Sequence, residues 1–380
     1  MLLSEEHILI RDSVRDFAQQ RIAPQAAEWD RSNHFPAEEL REMGELGLYG
    51  MVIPEQWGGA GSDYLALALA LEEVAAADGA CSTILSVNNS VVCGSILGSG
   101  SEYLKETYLK PLASGQMLGC FCLTEAQAGS DAAALKTSAQ KQGDDYLLNG
   151  SKAFITSGAN ADVAIVFALT DASAGKKGIS AFVVPTDNPG YQVGSIEQKM
   201  GQHASDTAQV FFKDCRIPAS HMLGEEGEGY KIALMNLEAG RIGIGAQCVG
   251  MARAAYECAL EYAQQREAFG KPIMQHQAVA FRLADMATQL EAARLMVHNA
   301  AVLRDAAEPC LKQASMAKLF ASEVAEKICS DAIQVLGGYG YLRDFPLERI
   351  ARDVRVAQIY EGSSDIQRMV IAREIGGARA

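Results

Sequence analysis

No CxxC pair occurs among the nine cysteines of this 380-residue chain, and its one CxC, Cys120 and Cys122, lies in an apolar run. An odd, scattered set in a long chain is not a disulfide scaffold, so buried free thiols in a reducing compartment are expected. None of the six histidines has a second histidine or a cysteine at helical spacing, which leaves a zinc site without support. Basic residues are short: 33 Lys and Arg against 47 Asp and Glu leave a charge of −14. Nucleic acid and anionic lipid surfaces would repel such a chain. No apolar run approaches 18 residues without a polar interruption, so no membrane insertion is expected. Glu5, Glu6 and Asp12 come almost at once, unlike a signal peptide or an Arg-rich transit peptide. The expected location is cytoplasmic, or the mitochondrial matrix for a processed eukaryotic chain. Gly243-Ile-Gly245 misses the third glycine of a dinucleotide fingerprint, where Cys248 stands, and no GxxxxGK[ST] loop occurs.

What is present is an ordinary globular balance, 49% apolar and 21% charged, long enough for two or three domains. Residues 1–120 read as helices. Ser4 followed by two acids starts one, with Ile10, Val14 and Phe17 on one face and Pro24 after its end. Another runs from Ser62-Asp63 to Ala77 and stops near Gly79, and Gly44–Gly61 between them is loop-like. Residues 121–225 change character. Asn149-Gly150 is a turn signal between Tyr146–Leu148 and Ala153–Thr156, which predicts a hairpin. Val163–Leu169, Ile179–Val184 and Thr207–Phe212 have strand length, so a small antiparallel, barrel-like β-domain is expected. Residues 226–380 return to helix. Val279, Leu283, Met286, Leu290, Ala293, Val297 and Ala300 step alternately by four and three, as in a four-helix bundle. Phe320, Val324, Ile328, Ala332 and Val335 form a second stripe, and a last helix over 353–375 is interrupted by Gly362.

Five segments could carry chemistry. Leu123–Asp131 offers hydroxyls and small residues suited to a flat heterocycle or a phosphate. Phe154–Gly158 places an aromatic before hydroxyls. Gln334–Gly340 has three glycines at a helix end, where backbone can approach a ligand or simply cap the helix. Arg266, in Gln265–Gly270, could serve a phosphate or the helix carbonyls. In Gln358–Asp365, Glu361 follows an apolar stretch; in an apolar pocket its pKa would rise toward that of a general base. Each segment also has an ordinary structural reading. Their order along one chain is what points to function.

The ordered motifs LTExxxGSD, FITS, LExGR, RxAFG, QxLGGxGY and IYEGSSDIQR resemble those of the acyl-CoA dehydrogenases, over nearly the whole chain. The resemblance implies an N-terminal helical domain, a middle β-domain and a C-terminal four-helix bundle. It also implies FAD, and oxidation of an acyl-CoA to the trans-2-enoyl-CoA. By that resemblance Glu361 takes the α-proton while hydride passes to flavin N5. Members that instead place the acid just before the Arg of LExGR have a counterpart here in Gly240, which leaves Glu361. Leu123, Thr124, Phe154 and Thr156 would meet the flavin, and Ser363 and Asp365 complete its contacts. Ser130 serves both cofactor and thioester arm; Glu238, Arg241, Tyr360 and Gly362 meet the substrate. Arg266, Phe269, Gln277, Gln334, Gly337 and Gly338 match positions holding the FAD diphosphate and adenine, typically of a neighbouring subunit.

Two positions depart from the family pattern. Ala126 and Gln127 replace Pro and Gly of the family loop, and Phe154 replaces its usual Trp. The resemblance further implies a homotetramer built as a dimer of dimers, an electron-transferring flavoprotein as acceptor, and a place in fatty acid β-oxidation. Ser86–Ser90 and Met235–Ile244 look like the short-chain, butyryl-CoA branch. Met286–Ala301 and Met316–Phe320 look as much like members acting on isobutyryl- or 2-methylbutyryl-CoA. An acyl-CoA oxidase and a non-catalytic helical scaffold are the remaining alternatives.

Overall fold

Ser4 caps the first helix by accepting the His7 N–H at 3.2 Å, and Glu5 and Glu6 fall where the helix dipole favours acids. In the computed structural model, which describes residues 2–377, that helix is α1 (Glu5–Phe17), followed by α2 (Ala26–Ser32) and α3 (Ala37–Glu45). Asp63 caps α4 (Tyr64–Ala77). Asp78 ends α4 and at once caps α5 (Gly79–Val87), taking the Cys81 N–H at 2.9 Å. A π-turn leads into α6 (Gly94–Ser99), and the short α7 (Glu102–Leu104) and α8 (Lys110–Ala113) follow. The stretch Gly79–Ser99 is long and apolar enough to cross a membrane, yet 83% of its apolar window is buried inside the fold. The polar residues that interrupt it are structural. Asn88 and Asn89 donate to the carbonyls of Tyr49 at 3.1 Å and Leu48 at 2.8 Å, tying the helix to the preceding loop.

Eight strands form one sheet: β1 (Gly119–Cys122), β2 (Ser138–Gln142), β3 (Asp145–Thr156), β4 (Val163–Leu169), β5 (Ile179–Pro185), β6 (Tyr191–Ile196), β7 (Thr207–Pro218) and β8 (Met222–Leu223). Their order is β6-β7-β3-β2-β4-β5-β8, with β1 beside β4. Most pairings are antiparallel as expected, but β1 and β2 both run parallel to β4. Residues 123–162 supply the long connection that the parallel β1–β4 pair needs.

The hairpin expected at Asn149-Gly150 is not there. Tyr146–Leu148 and Ala153–Thr156 belong to one strand, β3, and the turn falls at Gly143-Asp144, between β2 and β3. Asn149-Gly150 instead marks a shift of register between β3 and β7. Asn149 exchanges hydrogen bonds with Asp214, and a Cβ on Gly150 would lie 2.6 Å from Thr137 Cα. The glycine meets a close approach of backbone, a need that the turn signal mimics.

The long α9 (Gly229–Gln265) leads through a ribbon, β9 (Glu267–Ala268) and β10 (Lys271–Pro272), to α10 (Gln277–Asp305) and α11 (Leu311–Leu336). The seam predicted on α10 is buried from Leu283 to Ala300, with Val279 half-buried at its start. Short α12 (Leu347–Val354) and α13 (Ser364–Gly376) close the described chain. One core cluster joins the N-terminal helices to α9–α12; a second lies between helices and sheet, and a third within the sheet.

A buried ion pair ties the loop after β1 to β3. Lys152 Nζ donates to Glu125 Oε1 at 2.8 Å and to the Leu123 carbonyl at 3.1 Å, with both side chains almost wholly buried. Glu125 also accepts from Lys136 N, Thr137 N and Gln127 Nε2. Burial alone would raise the Glu125 pKa, but the Lys152 charge and these donors outweigh it and hold it at about 2. Its contribution to stability is therefore present above the unfolded carboxylate's pKa and lost as pH falls through about 2. Removing one member of such a pair costs about 3–5 kcal/mol. Lys152→Met should accordingly lower the urea midpoint by that equivalent, with part recovered in Lys152→Met/Glu125→Leu; an unchanged single-variant midpoint would contradict this role.

Candidate active site

Between α12 and α13 the chain cannot continue as helix. Glu361 has φ +55° and Gly362 φ +87°, two left-handed residues in succession, before Ser363 caps α13. Gly362 adopts this freely; a non-glycine there costs of order 1–3 kcal/mol, strain that must be held by its surroundings. The holders are visible. Gln367 Nε2 donates to the carbonyls of Glu361 at 3.1 Å and Gly362 at 2.9 Å, and Lys318 Nζ donates to Gly362 at 2.7 Å. Tyr360 OH donates to Gln247 Oε1 at 2.6 Å, within a buried network that includes Thr83 and Gln202.

The turn delivers the Glu361 carboxyl to the floor of a pocket. The residue as a whole is half-buried, but Oε2 is closed to solvent and accepts no hydrogen bond from any described residue. Burial pushes its pKa up to about 7, against the pull of the Arg241 and Lys318 charges. Gly240 on α9 leaves the space for it: a Cβ there would run into Oε2 and lie 2.9 Å from the carboxyl carbon.

Leu123, Thr124, Ser130, Phe154 and Thr156 line the same pocket, together with Arg241, Tyr360 and Gly362. Phe154 is 64% exposed and has φ +59°, so an unfavourable backbone presents an apolar ring to open space. Arg241 is 6% exposed, its Nε has no partner among the described residues, and burial lowers its pKa. A cation this buried suits an anionic or strongly polar ligand group. Val87, Val91, Leu237 and Ile244 supply apolar wall.

Other expected site residues lie elsewhere. Arg266, Gly337 and Gly338 line a second cleft, where the Arg266 guanidinium lies 5.9 Å from the Tyr339 ring. A Cβ on either glycine would meet nothing within 4 Å, so this turn faces open space. Gln334 and Gln277 are exposed at the end of α11 and the start of α10. Phe269, in the ribbon, is 96% exposed at φ +52°. Ser363 spends its hydroxyl capping α13, and the exposed Asp365 pairs with Arg368 at 3.3 Å. Glu238 does not reach the pocket: its carboxylate accepts from Arg304 Nη1 at 2.9 Å and Cys310 Sγ at 3.3 Å.

The chain matches the Acyl-CoA dehydrogenase N-terminal domain over residues 4–116, the middle domain over 120–215 and the C-terminal domain over 227–376. It belongs to the acyl-CoA dehydrogenase family. The short-chain specific acyl-CoA dehydrogenase, mitochondrial, of Mus musculus is 49% identical over 97% of this chain and 90% of that relative. The structure of butyryl-CoA dehydrogenase from Megasphaera elsdenii aligns with TM-score 0.97 and 42% identity, over 99% of each chain. A glutaryl-CoA dehydrogenase from Mycobacterium smegmatis in complex with FADH2 aligns with TM-score 0.94 and 34% identity, over 100% of this chain and 96% of that one. The chain is thus an oxidoreductase with the family's three-domain fold and its FAD cofactor.

The residues fit that cofactor. One wall offers the exposed Phe154 ring with the Thr124 and Thr156 hydroxyls, and the second cleft offers Arg266 beside an open glycine turn. Sequence reasoning gave no role to Lys152, Lys318 or Gln367. A signal for two of them existed. Lys152 shares the inward parity of Tyr146 and Leu148, and Lys318 sits on the buried stripe of Ala314, Ala321 and Ala325. Gly240 is the sharper test of the site. Alanine there suits a helix better by about 1 kcal/mol yet collides with the carboxyl. Gly240→Ala should keep the wild-type unfolding midpoint and lose about 10²-fold in kcat, the scale of a misplaced reacting group. Full activity in that variant would show that the carboxyl does not need this position.

Proposed function

We propose that the chain oxidises short-chain acyl-CoA thioesters to the trans-2-enoyl-CoA, with Glu361 as the base that removes the α-proton. The observation that carries this reading is the Glu361 carboxyl itself: Oε2 is closed to solvent and unpartnered among the described residues, and burial holds the group at a pKa of about 7. Such a group loses its proton near neutral pH yet remains basic enough to take one from carbon. FAD supplies the hydride acceptor at its N5 when bound. Arg241 and the polar backbone around Gly362 orient the thioester, and the apolar wall excludes water, which keeps the base desolvated. Ser130 and Thr124 line the same pocket, and the Arg266 cluster suits the dinucleotide's diphosphate. Two features support a shared site in a homotetramer: that cluster lies in a separate cleft, and Phe269, Phe281 and Tyr341 are strongly exposed.

The short-chain preference rests on segments 86–90 and 235–244 and on the relatives named for short-chain and butyryl substrates. One methylene is worth only about 1–3 kcal/mol in an apolar pocket, so neighbouring substrates should overlap. Electron-transferring flavoprotein is the proposed acceptor, fatty acid β-oxidation the proposed pathway, and the cytoplasm or matrix the proposed location. An anaerobic titration with butyryl-, isobutyryl-, 2-methylbutyryl- and octanoyl-CoA tests the reading. Butyryl-CoA should bleach the flavin with the highest kcat/KM, rising as pH rises through about 7 as Glu361 ionises. Reoxidation should require the flavoprotein. Peroxide release in air at the turnover rate would make the enzyme an oxidase, and no bleaching by any of the four would refute the activity.

A further inference from the structure

We propose that Lys318 of α11 is a positioning residue for Glu361, clamping the Glu361-Gly362 turn from behind and keeping the carboxyl able to ionise. This inference rests on the reading of Glu361 as the base. Lys318 is wholly buried in the helical core, where an ammonium without an anion is costly. Among the described residues its one hydrogen bond is to the Gly362 carbonyl, at 2.7 Å. No carboxylate among the described residues pairs with it; the other buried lysine, Lys152, has Glu125. A core lysine that spends its charge on a single backbone carbonyl, one residue from a strained glutamate, has a purpose that packing alone would serve better with methionine or leucine.

Two effects follow from the geometry. The hydrogen bond fixes Gly362 in its left-handed conformation, and with Gln367 it holds the peptide units that aim Glu361. The charge also reaches the carboxyl. The charged groups acting on Glu361 are Arg241 on α9 and Lys318 on α11; the latter faces the Cys248 thiol, while Arg241 also faces Glu238 and Arg373. Burial draws the Lys318 pKa down to about 8, so it remains largely protonated at neutral pH. Its positive charge opposes the burial that raises Glu361 and keeps that carboxyl titrating near 7 rather than above it.

The test compares the holoenzyme with Lys318→Met, which removes bond and charge, and Lys318→Gln, which removes the charge and retains a donor. FAD content, kcat and KM over pH 6–9, and direct titration of the Glu361 carboxyl by carbon-13 NMR are measured. In both variants the Glu361 titration and the acid limb of kcat/KM should move up by about one unit, a tenfold loss at low pH. Lys318→Met should lose a further factor in kcat that high pH does not restore, with KM changed less than kcat. Lys318→Gln is the milder change and provides the reading if Lys318→Met does not fold. An acid limb present in wild type but unmoved in the folded variants overturns the role of Lys318 alone. A wild-type profile flat through neutral pH overturns the reading of Glu361, and this inference with it.

Discussion

A carboxyl group with one oxygen denied both water and a hydrogen-bond partner is the constraint around which this structure is organised. Glu361 sits on a left-handed turn and beside a glycine that leaves it room, with Oε2 unpartnered among the described residues. None of these features stabilises the fold. Desolvation and strain each cost free energy, and the surrounding contacts, from Gln367, Lys318 and the Tyr360 network, over-determine the turn. In the proposed reading of Glu361 as the base, the gain is chemical, because a carboxyl with a pKa of about 7 is matched to proton abstraction at neutral pH.

The opposite wall follows the same logic by other means. Phe154 also has positive φ, its ring faces open space, and Lys152 of the Lys152–Glu125 pair lies two residues away on the same strand. That pair joins the Leu123–Thr124 segment to β3, and the Ala153 N–H donates to the Thr124 carbonyl at 2.9 Å beside it, so the two segments are held together at adjacent positions. The net charge of −14 belongs to the molecule as a whole; the pocket holds Arg241, with Lys318 behind the floor and Arg266 in the second cleft. An acidic protein thus has a few cations placed where an anionic ligand could be met.

Much of this was legible in the sequence because the relevant signals are local. The α10 seam, the strands at Val163 and Ile179, and the Asp63 cap depend on periodicity and capping, which neighbours along the chain determine. The Asn149-Gly150 signal misled because a glycine demanded by Thr137, distant in the chain, looks the same as one demanded by a turn. The motif that names Glu238 says nothing of its partner Arg304, which lies 66 residues away on α10. Lys318 and Lys152 stood on buried stripes, but a charge on a stripe gives no hint of its partner until the fold brings Gly362 and Glu125 to it. The order of motifs identified the family, and the geometry showed which of those residues share a pocket.

The role of Glu361 is tested most directly by single-turnover flavin reduction in the Glu361→Gln holoenzyme with saturating butyryl-CoA. The amide keeps the shape of the side chain and removes the base. FAD content and acyl-CoA binding should match the wild type while the reduction rate falls by at least ~10⁴-fold, at the upper end for a general base acting on so weak a carbon acid. Reduction within tenfold of the wild-type rate would contradict the account.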